Sequence, residues 1–224
     1  NIVTTQDELY KATLMGDAIK NQAAKEVLQY REAIYWGIAA LQKNNLITTN
    51  LLVGLMQRLR GSSENIRKNT GTKLGNPINN EIVYTPPEGE NIIRDKLSKL
   101  EIFINDTTYS DLDPLIKMAL IHYQFEAIHP FFDGNGRTVR LLFNLLLMRE
   151  GYPPAIILRN DRRKYYDALN QANDGRYEKL CLLMSQALER SLDIYVSNIT
   201  DTAPRGRIPP PGLSAPHAGI PLPR

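Results

Sequence analysis

The sequence predicts a mainly α fold, a helical bundle carrying one small β element. Apolar residues recur at helical spacing along most of the chain, and helix start and stop signals bracket those runs. Only one short stretch alternates like a strand. In chain order, Thr5-Gln6-Asp7-Glu8 has the capping-box pattern ahead of a short helix. Val27, Leu28, Ile34, Tyr35, Ile38 and Leu41 form an apolar stripe that the polar run Lys43-Asn44-Asn45 ends. Thr49 or Asn50 can cap a helix with Leu51, Leu52, Leu55, Met56 and Leu59 on one face. Residues 61 to 90 are polar and rich in Gly, Asn and Pro, so they read as a loop or small hairpin around Glu81-Ile82-Val83-Tyr84-Thr85. Helices resume from about Asn91 to Ile104 and after the N-cap pair Asp113-Pro114. The latter carries Leu115, Ile116, Ala119, Tyr123 and Ala127 until Pro130 stops it. Another starts near Gly136 with Val139, Leu142, Phe143, Leu146 and Leu147, Asp161 caps one more, and Tyr177 to Tyr195 forms the last.

Charge and composition narrow the function. The net charge is +3, but the tail from Ala203 to Arg224 holds three arginines and no acid, leaving 24 basic and 24 acidic groups in residues 1–202. A neutral body offers no general field for a polyphosphate, so nucleic acid is not expected as a partner. No apolar run is long enough to span a bilayer, so no membrane role is expected. With Cys181 as the lone cysteine, no internal disulfide and no cysteine-based zinc site can form, which points to a reducing compartment such as the cytoplasm. The first residues are too polar for a signal peptide and lack an initiator Met, so the chain is expected to begin inside a longer sequence. Seven of the fourteen prolines fall in the tail, which reads as polyproline II or disorder.

Chemistry concentrates between two apolar helices, in His129-Pro130-Phe131-Phe132-Asp133-Gly134-Asn135-Gly136-Arg137-Thr138-Val139-Arg140. A connection within a bundle needs only a few polar residues. This one supplies an imidazole, a carboxylate, an amide, two glycines and two arginines. Gly134 and Gly136 let the backbone approach a ligand, and the helix that follows presents free N–H groups to an anion. Arg137 and Arg140, three apart, leave roughly the same face and suit a polyphosphate. Asp133 is the one carboxylate, enough for Mg²⁺ when phosphate oxygens and water complete the shell. His129 can take a proton near neutral pH. Each residue has an ordinary structural use; their conjunction describes attack by a hydroxyl on a metal-bound nucleotide phosphate.

His129 to Arg140 resembles, at every defined position, the signature of the Fic family, His-Pro-Phe-x-Asp/Glu-Gly-Asn-Gly-Arg-x-x-Arg. Tyr30-Arg31-Glu32-Ala33, Tyr84-Thr85-Pro86-Pro87, Gly151-Tyr152-Pro153-Pro154 and Lys164-Tyr165-Tyr166-Asp167-Ala168-Leu169 look like features of members with an N-terminal helical extension. The resemblance implies a Fic-type helical bundle with a β-hairpin flap, divided into an extension (1–45), a catalytic domain (46–198) and a Pro-rich disordered tail (199–224). It implies a protein adenylyltransferase, moving AMP from ATP to a Ser, Thr or Tyr hydroxyl of a target protein and releasing pyrophosphate. On that reading His129 is the base and Asp133 holds Mg²⁺. Asn135 with the amides around Gly134 and Gly136 forms the anion hole, and Arg137 and Arg140 grip the β- and γ-phosphates. Val83 and Tyr84 match the flap that clamps the target, while Tyr165 and Asn173, with Tyr166 a weaker candidate, fall where members touch adenosine. Kinase relatives replace the second loop Gly by Lys, so Gly136 favours AMP transfer. The resemblance also allows self-modification and a homodimer.

Many members carry an inhibitory Ser/Thr-x-x-x-Glu-Gly/Asn segment whose Glu pairs with the second motif arginine, here Arg140. No Glu in this chain has that context. Asn1-Ile2-Val3-Thr4-Thr5 resembles the text that follows such a Glu, so the inhibitory helix is expected immediately before Asn1. The alternatives are a Fic-fold enzyme that moves another phosphate-containing group or removes AMP, and a non-catalytic interaction module. His122 and Trp36 read as packed residues and Cys181 as part of the last helix's apolar face.

Overall fold

The computed structural model describes residues 22–75, 81–108 and 111–202. The expected capping box at Thr5 and residues 203–224 of the Pro-rich tail lie outside them; residues 199–202, expected to begin the disordered tail, instead continue the last helix. The chain is mainly α: α1 (Gln22–Asn44), α2 (Thr49–Arg60), α3 (Glu90–Asn105), α4 (Pro114–Ile128), α5 (Asn135–Arg149), α6 (Arg162–Asn173) and α7 (Glu178–Thr202). The β element is a two-stranded antiparallel pair, β1 (Leu74–Gly75) with β2 (Ile82–Tyr84), in which Leu74 faces Tyr84. Among the described residues no helix is long and apolar enough to cross a membrane.

Helices α2 and α4 start where short polar side chains satisfy free N–H groups. Asp113 accepts from the N–H groups of Leu115 and Ile116, with Pro114 in the first turn. At α2 the cap is Thr48, one residue before the expected pair, accepting from Leu51 N–H at 3.1 Å. Asp161 precedes α6, but its carboxylate makes no cap bond; it pairs with Arg190 at 3.1 Å instead.

Packing departs from the expected stripes in two helices. On α1 the buried face is small: Ala24, Ala33 and Gly37. A methyl group on Gly37 would come within 2.7 Å of Leu145 Cδ1, so this helix lies close against α5 and bulk is excluded from the contact. Tyr35, expected on the core stripe, is exposed, and Trp36 is half-buried beneath the Arg58 guanidinium, 3.8 Å from its ring. On α4 the buried residues are Met118, Ala119, Ile121, His122, Phe125 and Ile128, while Ile116 is exposed. That helix contacts α3, α5 and α7 and is apolar on several sides, so periodicity could not single out one face. Helix α5 is sheathed by α1, α2 and α4, and buries Val139, Leu142, Phe143, Leu146 and Leu147 as expected. The connection from α4 to α5 is thereby anchored at both ends in the core.

Candidate active site

Helix α4 ends at His129, which adopts a left-handed backbone (φ 48°) and donates its N–H to Phe125 O at 3.0 Å. Such a conformation costs a non-glycine residue about 1 kcal/mol, so it needs support. Arg67 supplies it. Its Nε donates to His129 O at 2.7 Å, its N–H to Pro130 O at 2.9 Å, and its Nη2 to Pro87 O at 2.6 Å. One buried guanidinium thus ties the turn to the end of the β segment.

The turn then folds back on Asn135. Its amide, 3% exposed, accepts the Phe131 N–H at 2.9 Å and donates to Phe131 O at 2.7 Å. The expected role of Asn135 in an anion hole therefore does not pass through its side chain; only its backbone N–H is left for a ligand. Gly134 (φ 91°) is the N-cap of α5 and offers no side-chain cap. The first-turn N–H groups at Asn135, Gly136 and Arg137 consequently have no acceptor within their own helix, and they carry its positive dipole end.

Around this turn the structure brings most of the expected residues together. A cavity of about 320 Å³ is lined by His129, Gly136 and Arg140, by Val83 and Tyr84, and by Tyr165, Tyr166 and Asn173. An adjoining cavity of about 240 Å³ shares Arg140 and adds Arg137, Glu26, Val27, Tyr30 and Leu59. Arg137 is paired with Glu26 and with Asp133, each at 3.4 Å. Among the described residues no carboxylate pairs with Arg140. Asp133 lines neither cavity; it is more than half exposed, with Arg60 bound to one carboxylate oxygen and the Gly134 N–H to the other at 2.6 Å. Tyr165 lines the cavity, as expected of a nucleotide contact, but its hydroxyl is turned inward. It is 6% exposed, and its hydroxyl is held between His122 Nε2 at 2.8 Å and Glu126 Oε1, to which it donates at 3.1 Å. Asn173 accepts from the Tyr123 hydroxyl at 3.4 Å.

Burial sets the proton affinities. Desolvation, then the Arg67 charge, push His129 down to about 4, so its imidazole is neutral at pH 7. Its Nδ1 is buried without a hydrogen-bond partner. Glu126, also desolvated, is pushed up, against the Tyr165 hydrogen bond and the Arg140 charge. Sequence reasoning missed Glu126, Arg67, Arg60, Glu26, Tyr123 and, on the cavity wall, Lys73 with the β1 residues Leu74 and Gly75. An acid in an otherwise apolar helix, three residues before His129, was the one available signal for Glu126. The others are far apart in sequence.

Comparison with known proteins identifies the domain. Residues 47–147 match the Fic/DOC family. The chain thus carries a Fic/DOC domain over just under half its length. It is 35% identical over 166 residues to a protein adenylyltransferase Fic of Culex quinquefasciatus, covering 72% of this chain and 32% of that protein. With the protein adenylyltransferase Fic of Nematostella vectensis it shares 33% identity over 176 residues, 78% of this chain and 40% of the relative. The chain thus spans only about a third to two fifths of these Fic proteins. In fold it resembles Fic-1 from C. elegans (TM-score 0.75, 24% identity, 91% of this chain and 61% of that one). It is also similar to a Fic domain containing signaling protein from Bacteroides thetaiotaomicron (TM-score 0.76, 21% identity, 90% and 82%).

Proposed function

We propose that this Fic chain is a protein adenylyltransferase, transferring AMP from ATP to a Ser, Thr or Tyr hydroxyl of a target protein. The observation that carries the reading is the turn at residues 129–136, which sets a neutral imidazole beside the uncapped N-terminus of α5 and beside Arg140. The curated relatives, named for this activity, support it.

In the transfer, the target hydroxyl gives its proton to the neutral His129 ring as its oxygen attacks the α-phosphorus. A new P–O bond forms, the bond to the β-phosphate oxygen breaks, and pyrophosphate leaves. A low proton affinity makes His129 a weak base in the free site, and negative charge on a bound triphosphate raises it. The N–H groups at the start of α5, with Arg140 and Arg137, offset charge on the phosphates. Arg137 must exchange Glu26 for phosphate to do so.

The residues fit a nucleotide-borne Mg²⁺ better than a resident metal. Among the described residues no group of three or more His, Cys, Asp or Glu could hold an ion. A single carboxylate, Asp133, suits Mg²⁺ whose other ligands are phosphate oxygens and water. When bound, the ion neutralises charge on the phosphates. Asp133 becomes available as a ligand once Arg60 and Arg137, which share one of its oxygens, give it up.

The target is read as docking on β2, whose exposed Ile82 and half-buried Tyr84 flank Val83 at the cavity mouth. The test is ATP labelled separately at the α- and γ-phosphate, supplied with Mg²⁺. Label from the α-position on protein, lost in His129→Ala, is the expected result; label from the γ-position would make the chain a kinase, and none from either would leave a binding module.

A further inference from the structure

Behind His129 lies a chain of polar groups that the adenylyl transfer above does not use. Glu126 sits one helical turn before His129 on α4. Its Oε1 accepts from the Tyr165 hydroxyl at 3.1 Å, and that hydroxyl meets His122 Nε2 at 2.8 Å. Its Oε2 lies 3.9 Å from His129 Nδ1, a buried ring nitrogen that makes no well-formed hydrogen bond and also faces the Glu126 main-chain carbonyl. Both side chains are mostly buried, 15% and 18% exposed. His122, at the far end, is 1% exposed. Glu126 also fills space that Gly136 leaves: a methyl group there would stand 3.4 Å from Oε1. An acid this enclosed is costly unless each oxygen has a use. Tyr165 accounts for one oxygen, and the other faces the imidazole.

We propose that Glu126 is the positioning residue of the base: its Oε2 takes up the Nδ1–H of His129 during the reaction, fixing the tautomer that presents a bare Nε2 to the target hydroxyl. The inference rests on His129 being the base of the proposed adenylyltransferase. A gap of 3.9 Å is longer than a hydrogen bond, and such contacts tighten once substrate is bound. As the hydroxyl proton arrives on Nε2, the ring becomes an imidazolium with Nδ1–H directed at Glu126. The negative charge of the carboxylate then faces the positive charge that forms, in a site where water is scarce. The proton leaves Nε2 for solvent after the product departs. Tyr165 and His122 hold the acid in its rotamer, which explains why a tyrosine expected to touch adenosine points its hydroxyl inward.

The charged and titratable groups facing His129 are Arg67 from the loop after α2, Asp133 from the turn, Glu126 from its own helix, Arg140 from α5, and Tyr84 and Tyr165 across the cavity. Glu126→Gln changes one of these and keeps its volume. In the wild type, ¹⁵N shifts of the His129 ring, assigned by comparison with His129→Ala, should report the Nδ1-protonated form. In Glu126→Gln that form should give way to a mixture. With ATP and Mg²⁺, kcat should fall about 10-fold to 100-fold while KM for ATP stays within about threefold. The acid limb of the kcat profile should move to lower pH, since a carboxylate beside an imidazole raises its proton affinity.

A variant that keeps the wild-type tautomer, or keeps kcat within about twofold of wild type, overturns the proposal. Thermal unfolding is followed in parallel; if Glu126→Gln does not fold, Glu126→Asp, which retracts the carboxylate, is put through the same two readouts. A wild-type chain that transfers no label sinks the adenylyltransferase reading, and the tautomer comparison still decides the role of Glu126.

Discussion

Asn135 is where a ligand contact and a structural staple make opposite predictions. Replacing it with Ala deletes an acceptor 2.9 Å from Phe131 N–H and a donor 2.7 Å from Phe131 O, in a place where Phe131 is itself buried. Each buried backbone group left unpaired costs about 1–3 kcal/mol. Two such groups make the expected loss about 2–6 kcal/mol, with a water entering the vacated space drawing it toward the lower end. For a domain of this size each kcal/mol moves Tm by about 2–4 °C, so Asn135→Ala should melt roughly 5–15 °C below the wild type. Asn135→Asp retains the acceptor and should fall between the two. The assay is thermal unfolding with and without ATP, together with ATP affinity measured well below the variant's Tm. If Tm is unchanged while affinity for ATP drops about tenfold, equivalent to ~1.4 kcal/mol, the amide touches the nucleotide and the staple argument is wrong.

Burial of two histidines makes the fold acid-sensitive. His122, pushed down to about 3 by burial and then by Arg140, and His129, pushed to about 4, refuse protons that the unfolded chain accepts near pH 6.5. Stability should be flat above that pH and fall below it toward the folded values, by up to about 1.4 kcal/mol per pH unit for each histidine; urea midpoints equal at pH 7.5 and 5.0 would contradict this. Gly136→Ala should separate stability from binding. Its methyl group would meet Arg140 Nη1 at 3.2 Å, yet alanine favours a helix by about 1 kcal/mol over glycine, so the expected outcome is an unchanged or higher Tm with ATP affinity lowered about tenfold. Arg60→Ala should remove one of the two guanidinium partners of Asp133, leaving Arg137 at 3.4 Å, and lower the Mg²⁺ concentration for half-maximal labelling, about twofold to tenfold. An unchanged Mg²⁺ response would show that Arg60 does not compete at this carboxylate.

The sequence by itself determined the helical class, the position of the β segment and the turn that carries the chemistry. These are local properties: a 3.6-residue period, an Asp-Pro start at residues 113–114, and a glycine-bracketed run between apolar helices are readable within a dozen positions. Which residues surround that turn was decided only by the tertiary structure. Arg67 reaches His129 from 62 positions away and Arg60 reaches Asp133 from 73, pairings that exist because α2 and α5 pack together. The inward turn of Asn135 and Tyr165 has the same origin. A polar side chain near a site can serve the ligand or the protein's own buried groups, and the choice depends on which unsatisfied atoms packing leaves beside it. Helix α4 shows the limit most plainly. Apolar on several sides, it does not reveal its inner face by periodicity, and so the one acid that packing sets behind His129 was not singled out.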